Sequence, residues 1–128
     1  MPLVRVDITQ GRTDAQITAL SDTIQDVMVE FFAAPTLDKY QIFHEHRPGL
    51  IRALDTGLGY PRTNNLVVIQ ITQQGRTTAQ KQAMYAAMSE RLAALGIAPT
   101  DLIISVSENT PADWSFGMGK AQFLTGEL

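Results

Sequence analysis

A segment that occurs twice constrains the fold of this chain more than any other feature. GRTDAQ begins at Gly11 and GRTTAQ begins at Gly75, 64 residues later in a chain of 128. The same spacing lays APT at 34–36 over APT at 98–100. Two separate matches at one spacing indicate two fused copies of one supersecondary unit, residues 1–64 and 65–128, within a single domain.

The first copy predicts a strand, a helix and a second strand. Leu3–Ile8 and Tyr40–His46 alternate apolar and polar residues, as half-buried strands do. Between them, Thr13 and Gln16 form a capping-box pattern, followed by apolar residues at three- and four-residue spacing. This pattern predicts an amphipathic helix of about twenty residues that ends at Pro35.

The second copy repeats the pattern with a more apolar first strand. Leu66–Thr72 and Asp101–Ser107 are the predicted strands, Thr77 and Gln80 form the second capping box, and Gly96 fits the C′ position of the helix. Strands joined through one helix are parallel with a right-handed crossover. The predicted fold class is therefore α/β (α+β): two fused β-α-β units forming one four-stranded mixed sheet, with two helices on one face.

The sheet face without helices also needs cover, which predicts an oligomer in which the sheets of neighbouring subunits meet. This expectation rests on five apolar strand residues that could point to either face: Ile42, Val67, Ile69, Ile104 and Val106. A light-scattering mass equal to one chain would contradict it.

Composition restricts the function classes. The net charge is −3 and no basic run occurs, which argues against binding to nucleic acid or to an anionic membrane surface. The absence of cysteine excludes disulfides, thiolate chemistry and cysteine-based zinc sites. No apolar run approaches about 18 residues, so we expect a cytoplasmic protein.

Pro2 and two arginines are the first candidate functional residues. Removal of Met1 would leave Pro2 with a free secondary amine, which can act as a nucleophile or base; alternatively, Pro2 merely follows the initiator. Arg12 and Arg76 each precede a helix N-terminus, where an arginine can complete a carboxylate site. The alternative is a solvated arginine in a capping turn, which we favour for Arg12 and leave open for Arg76.

Other candidates are weaker. His44 and His46 share one strand face and could be metal ligands, but no third ligand has a recognisable spacing, so a structural or interface role is favoured. Asp38 breaks the internal symmetry, because Leu102 stands 64 residues later. An aromatic cluster near the C-terminus is typical of a core or interface: Trp114, Phe116 and Phe123.

Taken together, these residues resemble the tautomerase superfamily, and specifically its malonate semialdehyde decarboxylase branch. The resemblance spans essentially the whole chain. It rests on MPL at the N-terminus, GRTDAQ at 11–16, YQIFHEH at 40–46, DTGLGYPRT at 55–63, LVVIQIT at 66–72 and DWSFGMGKAQFLTGEL at 113–128.

The resemblance implies a homotrimer that uses Pro2 as its catalytic amine, with Asp38 as catalytic aspartate. Arg76 matches one of two arginines that bind a small carboxylate-bearing substrate, and it takes part in catalysis. The second arginine falls at Gln74, the main departure from the family pattern. An apolar wall around the substrate is implied at Trp114, Phe116, Phe123 and Leu128.

The activity implied is decarboxylation of a small 3-oxo acid such as malonate semialdehyde, with neither cofactor nor metal. Protonated Pro2 would polarise the aldehyde, or neutral Pro2 would form an iminium. The alternatives are a keto-enol tautomerase of 2-hydroxydienoate or phenylenolpyruvate-type acids, a hydratase of unsaturated acids, and a non-catalytic trimeric binding protein.

Overall fold

The computed structural model describes residues 2–128; Met1 lies outside them, so its removal stays a prediction. The strands are β1 (Leu3–Thr9), β2 (Tyr40–His46), β3 (Val67–Gln74) and β4 (Leu102–Asn109). The helices are α1 (Asp14–Phe31), α2 (Thr78–Ala93) and the short α3 (Gln122–Thr125), and two 3₁₀ turns cover Pro99–Asp101 and Pro111–Asp113. None of the helices within residues 2–128 is long and apolar enough to cross a bilayer.

The four strands form one mixed sheet in the spatial order β2-β1-β3-β4. β1 pairs in parallel with β2, β3 pairs in parallel with β4, and β1 and β3 pair antiparallel at the centre. Each half of the chain therefore supplies one β-α-β unit. The predicted fold class is confirmed; β2 has the predicted bounds, and the other strands end one or two residues later than predicted.

Both predicted capping boxes are present. Gln16 N donates to Thr13 Oγ1 at 3.2 Å, and Thr13 N donates to Gln16 Oε1 at 2.8 Å. Thr77 and Gln80 repeat the pair at 3.1 and 2.9 Å. Each box satisfies two backbone N–H groups that a helix start leaves without partners, and so fixes where each helix begins.

The two long helices end differently. Phe32 N donates to Met28 O at 3.1 Å and Ala33 takes a left-handed φ of 53°, so α1 ends before Pro35, contrary to the prediction. After α2, Gly96 N donates to Ala93 O at 3.0 Å and Ile97 N donates to Leu92 O at 3.1 Å. This is a Schellman motif with Gly96 at φ 88°, as predicted for the C′ position.

Alternation along the strands divides the sheet into two faces, and both long helices cover the same one. The covered face is apolar. Its core comprises Val4, Val6, Ile8, Val67, Ile69 and Ile71 from the strands and Leu20, Ile24, Val27, Met28, Met84, Met88 and Leu92 from the helices.

The open face is more polar than expected. Of the five apolar residues considered for it, only Ile42 lies there, and its side chain is 48% exposed; the other four, at 67, 69, 104 and 106, belong to the core or pack against it. An ion-pair cluster occupies the open face instead. Asp7 lies 3.2 Å from Arg5 Nε and 2.7 Å from His46 Nε2.

Candidate active site

A cavity of about 590 Å³ lies where α1 ends, β3 turns into α2 and the chain terminates. It brings together several residues singled out in the sequence: Asp38, Gln74, Arg76, Phe123 and Leu128. The remaining lining comes from Ala33, Pro35, Thr36 and Leu37. One cation, one carboxyl group and an apolar wall in a single cavity suit a small carboxylate-bearing molecule.

The guanidinium of Arg76 is held by backbone carbonyl groups. Nε donates to Phe32 O at 2.8 Å and Nη2 donates to Ala33 O at 3.4 Å, just after α1. Nη1 donates to Gln74 O at 3.2 Å and to Gly75 O at 3.1 Å. Burial strips water from the charge and lowers the pKa of Arg76 below its usual range, although arginine stays protonated.

None of the ion pairs within residues 2–128 involves Arg76. Its charge is therefore oriented at the cavity by neutral acceptors, which leaves it suited to bind an incoming carboxylate. Gln74 lines the same cavity with a neutral amide, so the cavity wall carries one arginine where the resemblance implies two.

Asp38 lies in the turn between α1 and β2. Its backbone N donates to Pro35 O at 3.0 Å, and its backbone O accepts from Gln25 Nε2 at 3.2 Å. Its side-chain Oδ2 is buried and has no hydrogen-bond partner within residues 2–128. A buried carboxylate oxygen without a donor is costly, so a donor supplied at this point would be stabilising.

Pro2 is buried and lies one residue before β1. Extending the two ladders of β1 by one residue beyond Leu3 places Pro2 between Lys39 on the β2 side and Gln73 on the β3 side. The nitrogen of Pro2 is on the N-terminal side of the residue, away from β1. Asp38 precedes Lys39, so it is one residue beyond the level of Pro2 in the same direction. Pro2 does not line the cavity itself, but Asp38, one residue before the level of Pro2 in the extended register, does.

The second half of the chain offers an internal comparison for this carboxyl group. Asp101 immediately precedes β4, much as Asp38 lies shortly before β2. The parallel pairs of the two halves differ in register, because Leu3 lies beside Tyr40 whereas Val67 lies beside Leu102. Asp101 accepts hydrogen bonds from Thr63 N at 2.7 Å and from the Thr63 hydroxyl. Thr63 belongs to the segment that leads into β3, so in this half the preceding chain supplies the donors.

The C-terminal segment crosses the open face at this end of the sheet. Trp114 Nε1 donates to Asn109 Oδ1 at 2.8 Å, at the end of β4. Phe116 stacks on Trp114 at 5.5 Å and on Tyr40, at the start of β2, at 5.6 Å. Phe123 meets Phe116 edge-on at 5.6 Å. Phe123 lines the cavity, whereas the other two residues predicted for its wall, Trp114 and Phe116, are not among the residues that line it.

The other candidates lie elsewhere. Arg12 Nη2 donates to Asn65 O at 3.3 Å and to the Asn65 side chain, beside a smaller cavity of about 260 Å³. The rings of His44 and His46 stack at 6.5 Å, and His46 pairs with Asp7. No group of three potential metal-ligating His, Cys, Asp or Glu residues occurs within residues 2–128.

Gln73 is a residue near the site that the sequence analysis does not predict. It is fully buried, and its Nε2 donates at 3.1 Å to Phe32 O, the carbonyl that also accepts from Arg76. Its Oε1 has no partner within residues 2–128. A signal was available: position 73 continues the alternation of Ile69 and Ile71, so the glutamine interrupts an apolar series.

Comparison with known proteins assigns the family. A family described as Tautomerase enzyme matches residues 38–117, and a second family of that description matches residues 2–59. The chain is 50% identical over 129 residues to "Probable tautomerase YrdN" of Bacillus subtilis (strain 168), which covers 100% of both chains. The chain belongs to the tautomerase family.

Solved structures of this family match almost the full length. Wild-type, mutant and inactivated malonate semialdehyde decarboxylase is 43% identical, with a TM-score of 0.94 and 98% of both chains covered. FG41 malonate semialdehyde decarboxylase inhibited by 3-bromopropiolate is 45% identical, with a TM-score of 0.94 and 98% and 97% covered. The "R7 fused 4-OT wild type asymmetric trimer" is 25% identical, with a TM-score of 0.76 and 96% and 98% covered. The predicted family resemblance is confirmed.

Proposed function

We propose that this tautomerase-family protein is an enzyme that decarboxylates a small 3-oxo acid such as malonate semialdehyde. Its catalytic group is the Pro2 amine, freed by removal of Met1. The observation that carries the proposal is the buried, unpartnered Oδ2 of Asp38, in the turn that leads into β2, the strand that pairs in parallel with β1 just after Pro2. Similarity to malonate semialdehyde decarboxylase over nearly the whole chain supports the substrate class.

The internal comparison explains why Asp38 points to an amine. In the second half, Asp101 receives its donors from Thr63, in the chain that leads into β3. In the first half, no residue among 2–128 supplies a donor to Asp38 Oδ2. The secondary ammonium of Pro2 then supplies the missing donor, and the carboxylate favours this cationic form.

The reaction follows from the charges around the cavity. Arg76 binds the substrate carboxylate and fixes the orientation of the bond that breaks. Cationic Pro2 transfers to the aldehyde oxygen the proton that it directs at Asp38 in the free enzyme, so the electron pair of the breaking C–C bond forms the C=C bond of an enol as CO2 leaves. A proton from water then adds to the enol carbon and the enol oxygen returns its proton to Pro2, which gives acetaldehyde from malonate semialdehyde.

The apolar lining acts on the other end of the substrate. Leu37, Phe123 and Leu128 line the cavity alongside Arg76. They disfavour a charge localised on the carboxylate, and that charge disperses as CO2 forms. Phe116 and Trp114 hold Phe123 in place through the ring contacts described above.

Gln74 changes the balance between binding and acid catalysis. A neutral amide in place of an arginine weakens carboxylate binding by about 1 kcal/mol or more. Removing a cation from the cavity also favours protonated Pro2. Weaker carboxylate binding raises the substrate concentration required for half-maximal turnover. Protonated Pro2 keeps the acid-type mechanism available at neutral pH.

A homotrimer completes this proposal. Leu37 and Leu128 line the cavity, yet in the single chain their side chains are 92% and 63% exposed. Apolar cavity walls open to water are typical of a surface that a neighbouring subunit covers. The trimeric assembly named for the fused 4-OT structure supports the same number of subunits. A light-scattering mass of one chain would contradict the trimer.

Two other reactions of the same site have specific support. A tautomerase, the activity named for the Bacillus subtilis relative, would use neutral Pro2 as a base that moves a proton between carbon and oxygen. A hydratase, here one of unsaturated acids, would use cationic Pro2 and a water positioned by Asp38; hydratase activity is named for one malonate semialdehyde decarboxylase. A non-catalytic trimeric binding protein would need none of these roles.

Replacement of Pro2 by alanine tests the proposal. In protein whose intact mass confirms removal of Met1, we expect Pro2→Ala to lower turnover of malonate semialdehyde by at least about a hundredfold, as the loss of an acid–base group does. Light scattering should show an unchanged trimer. Unchanged turnover, or a retained Met1 in the active protein, would refute the catalytic role of Pro2.

A further inference from the structure

Two side-chain oxygens are buried without hydrogen-bond partners within residues 2–128: Oδ2 of Asp38 and Oε1 of Gln73. Both flank Pro2. β1 lies between β2 and β3, so Asp38 approaches the start of β1 from the β2 side and Gln73 from the β3 side. A protonated N-terminal proline carries two N–H bonds, so in the free enzyme it can donate one to each of these acceptors. When substrate is bound, the N–H directed at Gln73 stays and the other turns from Asp38 to the aldehyde oxygen.

The orientation of the Gln73 amide is fixed by its other end. Nε2 donates to Phe32 O at 3.1 Å, so Oε1 must be the free atom. The residue is fully buried, and a buried amide oxygen left without a donor is costly. A glutamine at this position therefore requires a donor that the residues around it do not supply.

The opposite end of the ladder between β1 and β3 shows which residue type serves a purely structural role at such a place. In the antiparallel ladder between β1 and β3, Ile8 lies opposite Val67. If the ladder is extended by one pair beyond Leu3 and Thr72, Gln73 lies opposite Pro2. Each pair joins the helix-facing start of one central strand to the far end of the other, so the two pairs occupy corresponding places at opposite ends of the ladder. Where no amine is present the pair is apolar; where the chain begins, it contains a buried amide.

We infer that Gln73 is a positioning residue that holds the Pro2 amine by accepting one of its two N–H bonds. The inference rests on the proposed function, since it needs Pro2 as a free amine. Through Phe32 O, which accepts from both Gln73 and Arg76, the same side chain ties the amine to the group that binds the substrate carboxylate. Gln73 thus sets the distance between the acid and the carboxylate.

The test follows the Pro2 nitrogen by ¹⁵N NMR through a pH titration in four folded proteins. Gln73→Met keeps the length of the side chain and removes the acceptor, and Gln73→Glu keeps an acceptor in the same place. Gln70→Met is the matched control, because Gln70 is an exposed glutamine on the open face of the same strand. The native protein supplies the reference value.

We expect Gln73→Met to lower the pKa of Pro2 by about one unit or more, because the ammonium loses an acceptor. Gln73→Glu and Gln70→Met should not lower it. A folded Gln73→Met protein with the native pKa overturns the inference, and so does an equal fall in Gln73→Met and Gln73→Glu. If Gln73→Met does not fold, Gln73→Ile gives the same readout. This variant introduces the residue type that Ile8 supplies at the opposite end of the ladder.

The titration separates this inference from the proposed function. If Pro2 titrates as a free amine whose pKa ignores residue 73, the inference fails while the proposed function stands. If Met1 is retained, or Pro2→Ala keeps full turnover, the proposed function fails first.

Discussion

Arg76 offers the sharpest quantitative prediction, because its four hydrogen bonds are all directed at backbone carbonyl groups. Arg76→Met keeps much of the aliphatic volume beside the Phe32 ring, 5.7 Å from the guanidinium carbon, and removes the charge. The account assigns that charge to the substrate carboxylate. The variant should therefore bind substrate poorly while its fold is retained.

The structure sets the size of each effect. A hydrogen bond to a charged group contributes about 1.5–3 kcal/mol, which corresponds to a rise in KM of about 10- to 150-fold. Phe32 O keeps the hydrogen bond from Gln73 Nε2. The other carbonyl groups released belong to Ala33, Gln74 and Gly75, which are exposed or half-buried, so water can replace the guanidinium there. The free energy of unfolding should consequently fall by only about 1–2 kcal/mol.

The assay is steady-state decarboxylation of malonate semialdehyde, with unfolding in urea as the measure of stability. Arg12→Met is the matched control, since it removes the equivalent arginine of the repeat, whose partner is Asn65. We expect native KM in Arg12→Met and a raised KM in Arg76→Met. A native KM in folded Arg76→Met, or equal rises in both variants, would refute the assignment of the carboxylate to Arg76.

Two further predictions concern single charges. Burial alone would raise the pKa of Asp7, but hydrogen bonds, the largest from His46, lower it below its usual range. A lowered pKa stabilises the fold above about pH 4 and the contribution is lost in more acidic solution. Asp7→Asn should therefore flatten the acid side of the stability profile measured by urea unfolding; an unchanged profile would contradict this. Gln74→Arg should lower the KM for malonate semialdehyde about tenfold and lower the pKa of Pro2, by adding a cation to the cavity. If NMR and kinetics show neither change, Gln74 does not face the substrate.

The elements of this fold were predictable because their signals are local. Two capping boxes fix the helix starts, and alternation fixes the strands to within two residues. The end of α1 was predicted wrongly, because Ala33 takes a left-handed conformation before Pro35 is reached. Nothing in the residue sequence at that point signals a left-handed alanine.

The site was only partly predictable, because its geometry depends on how strands pair. The spacing of the repeat makes Leu102 the counterpart of Asp38, whereas in the ladders Leu102 lies beside Val67 as Tyr40 lies beside Leu3. The burial of Gln73 beside Pro2 also depends on the antiparallel ladder between β1 and β3. Register is a tertiary property, and a count along the chain does not give it.

The central claim is that Pro2 is a free, cationic amine held between two acceptors. A ¹⁵N NMR pH titration of the native protein, with Met1 removal confirmed by mass, tests it most directly. We expect one titrating nitrogen with a pKa of about 8 or above, in or beyond the range of free α-amino groups. A blocked nitrogen, or a pKa at or below about 7, would contradict the cationic mechanism and favour a tautomerase with Pro2 as base.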